Sequence, residues 1–103
     1  MMTTKAHIQI PKEEIETFCK NHHIRRLSLF GSVLSADFKP ESDVDVLIEF
    51  EPDSVVGLIR LAGIEIELSE IFGRKVDLRT PQDLSKYFRQ EVLDSAELLY
   101  EKE

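Results

Sequence analysis

The chain has 103 residues, 42% hydrophobic and 32% charged, with four Gly, four Pro and one Cys. That composition suits one domain, residues 1–103, with a modest core, and excludes a disordered, fibrous or disulfide-framed chain. Acids outnumber bases by 20 to 13, for a net charge of -7, which disfavours direct nucleic-acid binding because that normally needs a basic face.

Residues 1–9 carry no signal-peptide pattern, and no apolar run approaches the roughly 20 residues that span a bilayer, so no membrane association is expected. A single cysteine, Cys19, fits a reducing cytoplasm. Pro11 opens an amphipathic helix in which Ile15, Phe18, Cys19 and His22 recur at helical spacing, with its end expected near residues 21–23. Arg-Leu-Ser-Leu-Phe at 26–30 reads as a short strand stopped by Gly31-Ser32. After a connection comes a second strand, residues 44–50, ending at the turn cluster Glu51-Pro52-Asp53. Leu58, Leu61, Ile64, Leu68 and Phe72 mark a long helix closed by Gly73 as its C-cap. Residues 75–79 form a third strand. Thr80, Pro81 and Asp83 then supply a cap, an N1 proline and a first-turn acid. Leu84, Phe88, Val92, Ser95 and Leu99 continue a helical stripe, with a break expected near Ser85. The order predicts an α/β or α+β domain: a small mixed sheet with helices packed on one face.

The chemistry-bearing stretch is Leu29-Phe30-Gly31-Ser32, a connection, and then Asp43-Val44-Asp45-Val46. Side chains alternate along a strand, so Asp43 and Asp45 share one face while Val44, Val46 and Ile48 take the other. Two adjacent carboxylates repel unless a cation sits between them. Oxygen donors of this kind suit magnesium, which accepts phosphate oxygens as further ligands. In Lys75-Val76-Asp77-Leu78-Arg79 the same parity puts Asp77 on the polar side. If the two strands are neighbours, three carboxylates can hold two magnesium ions roughly 3.5–4 Å apart. Gly31 permits a sharp turn and close approach of a ligand, and Ser32 with backbone N–H groups can donate to phosphate. Taken singly, Gly-Ser marks many ordinary turns, Asp-x-Asp can be a solvated cap, and Asp77 can be the exposed side of an edge strand. Their order along alternating strands and helices is what favours a site.

That constellation resembles the minimal nucleotidyltransferases of the DNA polymerase β superfamily, whose signature is Gly-Ser, a spacer, Asp-x-Asp and a third acid on a later strand. The likeness runs from Leu27 to Tyr100, with Gly31, Ser32, Asp43, Asp45 and Asp77 on the motif positions. Leu-Phe-Gly-Ser-Val-Leu and Gly-Arg-Lys-Val-Asp-Leu resemble the subgroup found as antitoxins beside HEPN-domain toxins. The resemblance implies a polymerase β-like fold, with Asp43, Asp45 and Asp77 as catalytic metal ligands and Gly31 and Ser32 as nucleotide-binding residues. It implies two magnesium ions, ATP as AMP donor, a tyrosine of a HEPN toxin as acceptor, and a hetero-oligomer with that toxin. The alternative is an antitoxin that neutralises its partner by binding alone. Many members carry Arg soon after Gly-Ser, where this chain has Val33-Leu34-Ser35; Lys39, Lys75 and Arg79 are the candidates to replace its charge.

Other residues carry less. His22 and His23 sit at a helix end, where a charge interaction outweighs a metal role. His7 reads as exposed, Cys19 as a small core residue, and Arg25-Arg26 as a solvated turn. Ile59 and Ile66, seven residues apart on the long helix, form a second apolar stripe that suits a partner surface or further core packing.

Overall fold

The computed structural model describes residues 10–34, 42–53, 56–87 and 89–102, with Ser32 by its backbone alone. Helix α1 (Lys12–Asn21) reaches β1 (Ile24–Phe30) through His23, a left-handed residue with φ 56°. A 3-10 turn (Gly31–Leu34) follows directly, and further along the chain come β2 (Val44–Phe50), α2 (Leu58–Phe72) and β3 (Val76–Arg79). A second 3-10 turn (Pro81–Asp83), α3 (Arg89–Ser95) and β4 (Glu97–Glu101) come last. The sheet order is β3-β2-β1-β4. β2 is antiparallel to β1 and parallel to β3, and β4 pairs antiparallel with the outer side of β1. This is the expected mixed sheet.

Strand parity divides the sheet into two unlike faces. Val44, Val46 and Ile48 of β2 join Leu27 and Leu29 of β1 and Val76 of β3 in the core. Ile15, Phe18 and Cys19 of α1 and Ile64 and Leu68 of α2 close over them, so both long helices cover one face, as their apolar stripes require. The other face carries Asp45, Leu47 and Glu49 in alternation. Leu47 is nonetheless only 2% exposed. It lies opposite Ser28 in the ladder, and the two share a cavity with Leu93 and Ala96, at and just beyond α3. Among the described residues, the polar face is thus covered along its middle, and Asp45 at its end is partly exposed.

Gly73 ends α2 in the left-handed conformation (φ 70°, ψ 22°), and the following N–H of Arg74 reaches back to Ser69 O at 3.1 Å. That C-cap matches expectation. Two readings are corrected. Arg26 is not in a solvated turn: it lies inside β1 and its guanidinium bridges Glu49 on β2 and Glu101 on β4. The helical stripe expected from Leu84 to Leu99 breaks into α3 and a fourth strand. Asp83 Oδ2 accepts from both Thr80 N (3.0 Å) and Thr80 Oγ1 (3.1 Å) and closes a single turn, after which Leu84 is extended. Glu97–Glu101 then pairs with the outer side of β1, whose N–H and C=O groups need partners that local propensity cannot foresee. The expectations for His7, Lys39 and Phe88 lie outside the described residues.

The second stripe on α2 is surface: Ile59 is 92% exposed and Ile66 62%. Leu68→Ala, which empties a fully buried site, is expected to cost about 2–5 kcal/mol in urea unfolding. Ile59→Ala should stay within about 0.5 kcal/mol of the parent. Equal losses would contradict this division of the helix.

Candidate active site

The β2–β3 ladder sets Asp45 directly level with Asp77, so their Cα atoms stand about 4.8 Å apart, the spacing of neighbouring strands. Equal parity sends both side chains to the same end of the polar face, where both are partly exposed. Asp43 stands just before β2, where Val44 N donates to Lys75 O at 2.9 Å and carries the ladder down to its level. The sequence-predicted carboxylates therefore lie on one face.

Each outer carboxylate also has a cation beside it. Lys75 Nζ is 3.9 Å from Asp43 Oδ2, and Arg79 Nη2 donates to Asp77 Oδ2 at 3.3 Å. Among the described residues, no group of three or more His, Cys, Asp or Glu is gathered closely enough to hold a metal ion. Like charges spread apart when only monovalent side chains balance them. Lys75 is largely exposed and the other three side chains are more than a third exposed, and exposed pairs of this kind are worth about 0–1 kcal/mol. A divalent cation can therefore displace Lys75 and Arg79 and draw the carboxylates inward by side-chain rotation. The donor set, all carboxylate oxygen, is the class magnesium takes.

Gly31 supplies the cradle. It follows β1 with φ 75°, a conformation L side chains rarely adopt. A Cβ here would overlap Asp45 Oδ2 and stand 3.2 Å from Asp45 Cγ. The Asp45 carboxylate thus occupies the space that a side chain would fill. Val33, fully buried, pins the same turn to the core. The Ser32 hydroxyl lies outside the described atoms.

The remaining candidates take structural roles. Burial pushes the Cys19 thiol up to about 12, so it stays protonated in the core. His22 Nε2 meets Glu67 Oε2 at 2.7 Å and joins the end of α1 to α2, with its ring 4.7 Å from that of Phe18. His23 Nδ1 lies 3.7 Å from Glu51 Oε2, at the opposite end of β2 from Asp45. Glu65 and Ser69 carry no functional signal in the sequence, yet Glu65 Oε2 accepts from Leu78 N (2.8 Å) and Ser69 Oγ from Val76 N (3.0 Å). Both acceptors sit on α2 and bind the residues flanking Asp77. A Glu and a Ser one helical turn apart carry no motif.

Residues 12–99 match the nucleotidyltransferase domain family. The chain is 34% identical over 86 residues to a candidate protein adenylyltransferase of Methanocaldococcus jannaschii, across 82% of this chain and 89% of that protein. Its fold is similar to that in a toxin–antitoxin complex with AMP-PNP, at TM-score 0.71 and 18% identity over 91% of this chain and 76% of the other. It is also similar to a chain in the complex of a tri-AMPylated Shewanella oneidensis HEPN toxin with an MNT antitoxin, at TM-score 0.62 and 17% identity over 88% and 70%.

Gly31 and Gly73 separate backbone strain from the cradle, since both have φ near 70° but Gly73 has open space around it. Alanine at either position should cost about 1–2 kcal/mol of stability. Only Gly31→Ala should also turn the Asp45 carboxylate away and weaken manganese binding, by about tenfold in calorimetric titration. Equal manganese affinity in the two variants would rule out the cradle.

Proposed function

The chain belongs to the nucleotidyltransferase domain family, and from that membership we propose that it transfers AMP from ATP to a tyrosine hydroxyl of a HEPN-domain toxin, with magnesium, and so acts as that toxin's antitoxin in the cytoplasm. The observation that supports this most is the level placement of Asp45 and Asp77 with Gly31 folded against Asp45. The tri-AMPylated HEPN toxin seen beside a structurally similar antitoxin supports a HEPN toxin as the acceptor protein.

Asp43 and Asp45 hold the metal, and Asp77 completes the set. Bound magnesium supplies charge neutralisation for the triphosphate and acidifies the acceptor hydroxyl. Gly31 and Ser32 hold the phosphates. Lys75 and Arg79, released from Asp43 and Asp77, offset triphosphate charge in place of the arginine absent after Gly-Ser. The acceptor oxygen forms a bond to the α-phosphorus, the bond from that phosphorus to the bridging oxygen breaks, and pyrophosphate leaves with the electron pair. Asp77 takes the acceptor proton. The chain works in a hetero-oligomer whose partner brings the acceptor.

A second reading, neutralisation by binding alone, is favoured by one observation. Leu58, Ile59 and Ile66 project from α2 with 62–92% exposure, an apolar surface of the kind that partners cover. The two readings separate in one experiment. The partner toxin should gain label from ATP marked at the α-phosphate and none from ATP marked at the γ-phosphate. Asp45→Asn should lower transfer by more than about a hundredfold, beyond the range for losing a metal's outer-shell support. If Asp45→Asn transfers nothing yet neutralises the toxin fully, binding alone is the mechanism. Transfer at the parent rate would overturn the site.

A further inference from the structure

β3 is an edge strand, and an edge strand leaves alternate backbone N–H and C=O groups without a ladder partner. The acceptance of Val44 N by Lys75 O shows which way this strand turns. Lys75, Asp77 and Arg79 direct their backbone groups to β2, so Val76 and Leu78 direct theirs outward. Both outward N–H groups are taken up by one helix. Ser69 Oγ accepts from Val76 N at 3.0 Å and Glu65 Oε2 accepts from Leu78 N at 2.8 Å. The Ser69 hydroxyl donates to the backbone carbonyl O of Glu65 at 2.9 Å, which fixes the lone-pair direction it offers to Val76.

The two clamped amides immediately precede and follow Asp77. β3 has only four residues, bonded to a neighbour strand on one side. On that side Asp77 stands level with the like-charged Asp45, which favours drift of the strand away from β2. The clamp opposes that drift from the outer side, and one of its bonds has a carboxylate acceptor, a type roughly twice as strong as a neutral bond.

We propose that Glu65 and Ser69 are positioning residues for Asp77, holding β3 from its free edge so that the Asp77 carboxylate stays level with Asp45 where a divalent cation needs both. The proposal rests on the reading that Asp77 belongs to the metal site. It assigns the inner flank of α2 a function that neither core packing nor partner docking uses.

Manganese titration of the folded full chain by calorimetry, with amide exchange at Val76 and Leu78, tests it. Glu65→Ala should speed exchange at Leu78 and weaken manganese binding by about tenfold, as loss of outer-shell support does. Glu65→Gln keeps an acceptor oxygen and should remain within about threefold of the parent. Ser69→Ala should act likewise through Val76, with Ser69→Thr restoring affinity, and it carries the test should Glu65→Ala fail to fold. A purely structural role would lower the unfolding midpoint while leaving the manganese affinity of the folded protein unchanged. Unchanged affinity in both alanine variants, alongside a loss in Asp77→Asn, overturns the clamp alone. No loss in Asp77→Asn overturns the site reading and the clamp with it.

Discussion

The parallel ladder that sets Asp45 level with Asp77 places two negative charges side by side, and the surrounding residues are arranged to tolerate them. Two unit charges about 5 Å apart repel by about 1 kcal/mol in water and several-fold more as water is excluded. The partial exposure of Asp45 and Asp77 keeps that cost low. Lys75 and Arg79 reduce it further by standing beside Asp43 and Asp77. Gly31 gives the Asp45 carboxylate room against the backbone. A divalent cation changes the balance, because one ion can neutralise two carboxylates while freeing two side-chain cations for a triphosphate. The face is thus charged in a way that a metal-nucleotide complex would relieve.

Helix α2 is the element on which three requirements meet. Its core side, with Ile64 and Leu68, packs on the sheet. Its inner flank, with Glu65 and Ser69, bonds the free edge of β3. Its outer side presents Ile59 and Ile66 to solvent. A helix that is apolar on two opposite sides is unusual at a surface unless something covers the second side. The partner that the second side suits would then sit on the same helix that steadies Asp77. On the proposed reading, docking and catalysis would share a support.

Much of this was legible in the sequence, because strand parity is a strict constraint. Asp43, Asp45 and Asp77 alternate with Val44, Val46, Val76 and Leu78, and the core could form only by turning the acids outward. The α2 boundary was legible for the same kind of reason: Gly73 relieves a left-handed strain that other residues resist. What escaped was non-local. Glu97–Glu101 reads as helix until the bare side of β1 is known to lie beside it. Leu47 looks like an ordinary alternating strand residue, yet it is buried in a small second cluster beside α3. Glu65 and Ser69 acquire their role only when β3 is seen to be an edge. Each miss concerns a pairing between segments far apart in the chain, where local pattern is silent.

The most direct measurement is the crystal structure of the chain with manganese and a non-hydrolysable ATP analogue, with manganese standing in for magnesium. The expected result is anomalous density among Asp43, Asp45 and Asp77, with metal–oxygen distances of about 2.1 Å and the triphosphate against Gly31 and Ser32. Lys75 and Arg79 should have moved off Asp43 and Asp77 towards the phosphates. Metal or nucleotide bound away from these carboxylates, or both ion pairs intact with the analogue in place, would contradict the assignment.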